Sequence, residues 1–437
     1  MNSYRKCPTI KEITMEPAAT GKSIAIVSSW REACGPAAHT LYLEIALKSL
    51  GHAVTVLPID ISLTTGSSKF QKRANRAHIR DLIAAGNRHD ACILQIEPGL
   101  YGAAPWRAYR TINKMIGGLK NPTVVIHGMD RPSLIFSDLL FQIKSCFAFG
   151  ARDQLRYFWS QLALRFSSDY RRFLNNLRKC GKVICFSKFD VSELKNYWNI
   201  ETKFIPISYL LQDDVDRLRS SHERLNAKMR SELKITQNFV VVMPGFINDY
   251  KNPLAAMEAA RHLDRDKFAF VYAGGVHPRA KDDPALIQFL SKSNQASDYK
   301  TFIGKGWLQD NVTEFPSNVY FTGNISDENL NEYIAGADLV VLPYKNTVTG
   351  QSGSGPFAFA MEIAQKALFS KAKVFQAQDL FSPTFDFSFD TANPVELAQK
   401  IDRAKSGTTE FPHYREKYRE RNTAELQARE YVEIMFD

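Results

Sequence analysis

Ser23-Ile-Ala-Ile-Val-Ser-Ser29, a glycine-containing loop, a helical run over 38–50 and Gly51-His-Ala-Val-Thr-Val-Leu-Pro58 make up the stretch from which the fold is read. A short apolar run, a loop, a helix closed by glycine and a second β-branched run spell a βαβ unit. The alternation continues through Ala91-Cys-Ile-Leu-Gln-Ile96, Thr123-Val-Val-Ile-His127 and Lys182-Val-Ile-Cys-Phe-Ser187. These runs are apolar along their length, as parallel strands covered on both faces are. Residues 211–233 turn polar and charged without a strand signal and read as a helical connector. A second series follows in Phe239-Val-Val-Val-Met243, Ala269-Phe-Val-Tyr-Ala-Gly274, Val319-Tyr-Phe-Thr-Gly323 and Asp338-Leu-Val-Val-Leu-Pro343.

Two doubly wound series in succession predict an α/β protein of two Rossmann-like domains facing across a cleft. The length of 437 residues agrees, since one core stops growing at roughly 250–300. Expected boundaries are 1–210 for the first domain, 211–235 for the connector and 236–410 for the second. Residues 411–437 are expected to return to the first domain as a helix, with Leu426, Tyr431, Val432, Ile434 and Met435 as its apolar face.

Apolar residues at 44% and charged residues at 23% describe a folded globular chain. Six cysteines without C-x-x-C pairs or metal-ligand rhythm predict reduced thiols and a cytoplasmic location. The first twenty residues have no apolar stretch, so no secretory signal is expected, and no run is long enough for a spanning helix. The net charge of +10 is concentrated. Residues 152–182 hold eight Arg or Lys against two Asp, interleaved with aromatics, and Lys69, Lys72, Arg73, Arg76 and Arg80 recur at helical spacing. Such stretches are either solvated faces or contacts for an anionic acceptor or the inner face of an anionic membrane. Nucleic acid is not an expected partner, because no reading motif accompanies the charge.

Ligands of open α/β sheets bind at the carboxyl ends of the strands. After the first strand, Trp30-Arg-Glu-Ala-Cys-Gly-Pro-Ala-Ala-His39-Thr40 opens a helix whose free amides suit an anion. The absence of G-x-G-x-x-G argues against a nicotinamide or flavin enzyme. Glu97 and His127 follow the third and fourth strands. In the second series, Pro244-Gly245-Phe246 runs through Lys251 and Asn252 into a helix expected over 254–263, with Asn252 as its cap and Lys251 beside its N-terminus. Tyr344 leads into Ser352-Gly353-Ser354-Gly355-Pro356, which precedes a helix expected over 357–367. Small residues there leave amides and hydroxyls open to a diphosphate.

Together these pieces resemble the retaining GT-B glycosyltransferases of family four (glycosyl transferases group 1), over 24 to about 371. The most specific is Asn318-Val-Tyr-Phe-Thr-Gly-Asn-Ile-Ser-Asp-Glu-Asn-Leu330 leading to Ala337-Asp-Leu-Val-Val-Leu-Pro-Tyr344 and Ser352-Gly353. The resemblance implies an acceptor-binding first domain and a second domain that binds a nucleotide-diphosphate sugar, with no cofactor. It implies that Lys251 neutralises the donor diphosphate, with Gly245, Tyr344, Ser352, Gly353 and Ser354 around it. Gly35 approaches that diphosphate from the other domain, Gly274 with Gly323, Asn324 and Ile325 borders the base, and His127 sits beside the sugar. His39, Glu97 and Arg73 fall on the acceptor side. Phe246 stands where the family usually has Arg, and the family's pair of Glu eight residues apart is missing around 350–358, Glu362 being out of register.

The expected chemistry is hexosyl transfer with retention to a saccharide or lipid-linked acceptor, without a metal, since no D-x-D motif occupies a suitable loop. Two other readings remain open at this point: a GT-B nucleotide-sugar epimerase, and a degenerate partner subunit that keeps the fold without turnover.

Overall fold

The computed structural model describes residues 21–32, 34–128, 163–164, 166–247, 249–275, 317–346 and 353–437. Their strands form two parallel six-stranded sheets. The first contains β1 (Ser23–Ser28), β2 (Ala53–Pro58), β3 (Ala91–Ile96), β4 (Thr123–Ile126), β5 (Val183–Cys185) and β6 (Lys203–Phe204), in the order β2-β1-β3-β4-β5-β6. The second contains β7 (Phe239–Pro244), β8 (Phe268–Ala273), β9 (Val319–Phe321), β10 (Leu339–Leu342), β11 (Ala367–Ser370) and β12 (Ser388–Phe389), in the order β12-β11-β10-β7-β8-β9. Each order reverses once, between β1 and β3 and between β7 and β10. Those reversals are where crevices open at strand carboxyl ends.

Alternating side chains of β1 face opposite layers, as a strand's period of two requires. Ala25 and Val27 enter a core with the helices Lys69–Gly86, Pro105–Gly118 and Ser168–Cys180. Ile24 and Ile26 face the helices Gly35–Ser49 and Ala424–Phe436. β2, an edge strand, is only partly buried.

The helices Gln212–Ser220 and His222–Leu233 pack on the second sheet's side, where Asn226 Nδ2 donates to Gly336 O at 2.7 Å. The helix expected over 357–367 occupies Gly355–Ile363 instead, because by Ala367 the chain is extended and paired with Val340 of β10. β6 and β12, two residues each, are too short to stand out in the sequence, and β11 follows too closely on the apolar helix Gly355–Ile363 to be separated from it.

The return to the first sheet begins late. The helix Phe411–Arg419 buries Phe411, Tyr414 and Tyr418 in the second core. Thr423 caps the next helix, Ala424–Phe436, which buries Ala424, Ala428, Tyr431 and Met435 against the first sheet. Spacings of four, three and four place these on one face. Leu426, expected on that face, is exposed instead.

Between the sheets the chain runs through 205–211, and Glu362 of the helix Gly355–Ile363 holds it. One carboxylate oxygen, Oε1, accepts from Ser208 Oγ at 2.7 Å, Tyr209 N at 2.5 Å and Leu210 N at 3.1 Å. Oε2 has no partner. Burial outweighs these three donors and pushes the carboxyl up to about 7.

Two predictions follow from this packing. Tyr431 is fully buried and its hydroxyl makes no hydrogen bond. Tyr431→Phe removes an unsatisfied polar group and is expected to leave the melting temperature unchanged or raised. Tyr431→Ala opens a cavity and is expected to cost about 3–5 kcal/mol in denaturant unfolding. Glu362 binds its proton more tightly folded than unfolded, so between its unfolded value and about 7 it favours folding more as pH falls. The stability of the native chain relative to Glu362→Gln should therefore rise from pH 8 to pH 5; a pH-independent difference contradicts the assignment.

Candidate active-site cleft

At the first reversal, β1 ends in the buried Ser28, and the buried Ser29 after it places its Oγ 3.1 Å from Cys34 Sγ, which ties the loop closed. Cys34 is the N-cap residue of the helix Gly35–Ser49, with Pro36 in its first turn. Gly35 is exposed, and a Cβ there would meet nothing within 4 Å. The protein's own packing does not demand glycine at 35; a ligand approaching those amides closely would.

Behind this loop lie two histidines and an amide. His39 is fully buried on the helix and its Nδ1 lies 3.3 Å from Gln95 Oε1. His127 follows β4, and its backbone N still donates to Ile96 O at 2.9 Å, so the sheet pairing sets its ring beside β3. Its Nε2 also meets Gln95 Oε1. The imidazoles stand edge-on with centroids 5.1 Å apart, and Phe186 packs on both at 4.9 Å. Burial, then the neighbouring His39, holds His127 well below the ordinary imidazole range, and burial lowers His39 to about 4 against the raising effect of Gln95. Both rings are neutral at physiological pH. Glu97 is part-buried and its Oε2 comes within 3.0 Å of where a Cβ on Gly128 would stand.

At the second reversal, Gly245 follows β7 with φ +94. A side chain there would run into Lys251 Nζ and lie 3.0 Å from Pro356 Cγ. Both glycine's conformational freedom and its small size are therefore used. Lys251 ends the short turn Asp249–Lys251, and its ammonium lies 6.0 Å from the Tyr344 ring centroid. Burial lowers its proton affinity. Asn252 occupies the N-cap position of the helix Pro253–Ala260, but in a left-handed conformation and without the side-chain cap expected of it.

Tyr344 is buried, and its hydroxyl lies 3.1 Å from Ser354 Oγ. Ser354 in turn caps the helix Gly355–Ile363 by accepting from Phe357 N at 3.3 Å. Gly353 lies against the first lobe: a Cβ there would stand 2.5 Å from Ile207 Cδ1 and 3.2 Å from Phe186 Cβ. A Cβ on Gly355 would stand 3.1 Å from Tyr209 Oη. These glycines seat the loop on the other lobe as well as keeping amides clear. Ser352 lies outside the described residues, as does much of the basic stretch 152–182.

Gly274, with φ +141, donates to Thr322 Oγ1 at 2.9 Å and packs on the Gly245 carbonyl. Gly323 is buried with φ +68, Asn324 is exposed, and Ile325 packs on the second core. Arg73 stands apart, exposed on the helix Lys69–Gly86 with Lys69, Lys72, Arg76 and Arg80.

The structure therefore groups His39, Glu97 and His127 at one reversal and Gly245, Lys251, Tyr344, Gly353 and Ser354 at the other. Sequence reading assigned no role to Gln95, Phe186, Tyr209 or Gly275, whose Cβ would strike Asn324. Only Gln95 carried a signal, as the one amide in an otherwise apolar strand. Glu362 is committed to the chain at 208–210 through three bonds to Oε1.

No family model and no curated protein sequence matches the chain. Solved structures do. A glycosyltransferase from Rickettsia africae ESF-5 is 16% identical with a TM-score of 0.59, covering 96% of this chain and 100% of its own. Anabaena Alr3699/HepE in complex with UDP-glucose is 12% identical with a TM-score of 0.57, covering 94% and 98%. A UDP-forming α,α-trehalose-phosphate synthase from Burkholderia xenovorans in complex with glucose-6-phosphate is 11% identical with a TM-score of 0.60, covering 95% and 100%. Two parallel sheets, aligned over nearly the whole chain and joined by a returning C-terminal helix, have the GT-B fold of these glycosyltransferases.

Proposed function

We propose that this chain is a retaining hexosyltransferase that takes its sugar from a nucleotide diphosphate, with a UDP-sugar as the first donor to consider. The observation that carries the proposal is that Lys251 Nζ and Pro356, in the first turn of the helix Gly355–Ile363, both border the space a side chain on Gly245 would fill. A part-buried ammonium near a helix N-terminus at a sheet reversal forms a preorganised positive field. Glycosyl transfer from a diphosphate needs such a field where the leaving group gains charge. Similar structures with UDP-glucose and with glucose-6-phosphate support a nucleotide-sugar donor and a saccharide acceptor.

In this reading Lys251 and the Ser354–Gly355 turn hold the diphosphate, and Gly35 leaves the opposing helix amides clear to approach it. Gly274 and Gly323–Ile325 border the base. His127, neutral, hydrogen-bonds the transferred sugar and does not act as its general acid. With no carboxylate assigned as nucleophile, retention proceeds by front-face substitution, the departing diphosphate taking the acceptor hydroxyl's proton. The positive field supplied by the chain itself lets the step proceed without a metal.

The acceptor side is the first lobe. Its helix Lys69–Gly86 exposes Lys69, Lys72, Arg73, Arg76 and Arg80 beside Phe70, which is 79% exposed. Cations flanking an exposed aromatic suit an anionic, lipid-linked acceptor and peripheral attachment to an anionic leaflet. No helix among the described residues is long and apolar enough to cross a membrane.

A degenerate partner subunit is the second reading. Phe246 replaces the family's Arg, and Glu362, the nearest carboxylate, is turned to the inter-sheet chain.

Calorimetry against UDP-, GDP-, dTDP- and ADP-sugars separates the two. Binding of one class, weakened about ten- to hundredfold in Lys251→Ala as expected for a lost charged hydrogen bond, together with sugar turnover, supports the enzyme. Donor binding without hydrolysis or transfer supports the degenerate subunit, and no binding of any donor sinks the donor site. For the membrane, co-sedimentation with phosphatidylserine vesicles should fall as salt rises and in Lys72→Glu/Arg73→Glu; salt-insensitive or absent binding removes that attachment.

A further inference from the structure

Gln95 places a fully buried amide in a strand whose other residues are apolar, and its Nε2 has no hydrogen-bond partner. An unpaired buried donor costs about 1–3 kcal/mol. What the amide gives in return is on its other atom. Oε1 meets His39 Nδ1 at 3.3 Å and also His127 Nε2, so its two lone pairs serve two imidazoles. Each ring then carries its proton on the nitrogen facing Gln95. His127 is left with Nδ1 as a bare acceptor, and His39 Nε2 is enclosed without a partner. Phe186 closes the edges of both rings, and Tyr101 Oη donates to the Gln95 carbonyl at 2.6 Å, fixing the strand beneath.

The usual partner of a working histidine is a carboxylate, which orients the ring and stabilises its cation. Gln95 gives the orientation without the charge. The distinction matters beside a transferred sugar, because breaking the bond to the diphosphate builds oxocarbenium character on the anomeric carbon. An imidazolium there would oppose that charge.

We propose that Gln95 is a positioning residue for sugar transfer, clamping His127 through Nε2 so that an uncharged ring with a free Nδ1 acceptor meets the sugar hydroxyl. This rests on the role given to His127 above. Among the described residues, the titratable groups around the clamp include His39 on the helix Gly35–Ser49, Tyr101 beneath Gln95, Tyr209 in the inter-sheet chain, Tyr431 on the returning helix and Glu97, which reaches position 128. Burial holds both rings below the ordinary imidazole range.

The test is 15N NMR of histidine-labelled full chain from pH 5 to pH 8, paired with transfer kinetics. In the native protein His127 should remain neutral with its proton on Nε2 throughout. Gln95→Glu should bring His127 into titration within that range, with kcat falling as pH drops through the new midpoint while the donor KM holds. Gln95→Met should lose the single tautomer and at least tenfold in kcat. Native His127 titrating near 6.5 or protonated on Nδ1 overturns the clamp without any variant, as does a Gln95→Glu spectrum unchanged from native. Expected spectra with pH-independent kcat in Gln95→Glu overturn the positioning role alone. Native protein that shows the clamp but turns over no donor overturns the sugar-transfer reading, and with it the role of Gln95, leaving only the ring geometry.

Discussion

The attachment of Glu362 to the chain at 208–210 is the constraint on which the rest depends. Each sheet by itself offers a crevice at its reversal, but a bisubstrate site needs the two crevices to face each other. The chain leaving the first sheet is bonded at three points to the helix whose N-terminus forms the floor of the second crevice. Displacing that segment would move the helix end, Ser354 and Gly355 together. A second tie lies nearby, where Lys188 N donates to Ala377 O at 3.1 Å and Lys188 Nζ pairs with Asp379 at 2.6 Å. A third is the returning helix, where Gln427 Nε2 donates to Pro206 O at 2.7 Å. The contacts of Gly353 with Ile207 and Phe186 are then a consequence of how the lobes are fastened.

The division of charge across the cleft follows from burial. In the proposed reading the part-buried Lys251 is the cation on the donor side, whereas burial holds His39 and His127, on the other side, below the ordinary imidazole range. If Lys251 meets the leaving group and His127 the sugar, as proposed, this division matches the charge separation of glycosyl transfer from a diphosphate. It also separates the roles of two residues that the sequence presents alike, as polar groups after strand ends.

The fold was legible because its signals are local and repeated. Buried parallel strands read as apolar runs, and β1 to β5 and β7 to β10 each fill one. The two-residue edge strands β6 and β12 were hidden, because so short a pair depends on neighbours that the sequence does not show, and β11 was hidden because its apolar run follows closely on an apolar helix. Candidate residues at strand ends could be named because position in a βα unit is, like those apolar runs, a local property. What could not be read was pairing at a distance. Gln95 lies 56 residues from His39 and 32 from His127, and Glu362 meets its partners across more than 150. The apolar face of the last helix was misplaced at Leu426 because several faces of that helix carry apolar residues, and only packing selects among them.

The most direct measurement is a crystal structure of the chain grown with UDP. The account predicts the distal phosphate within hydrogen-bond distance of Lys251 Nζ and over the first amides of the helix Gly355–Ile363, with the base beside Gly274 and Asn324. UDP bound elsewhere, or a cleft left empty at millimolar nucleotide, would contradict it.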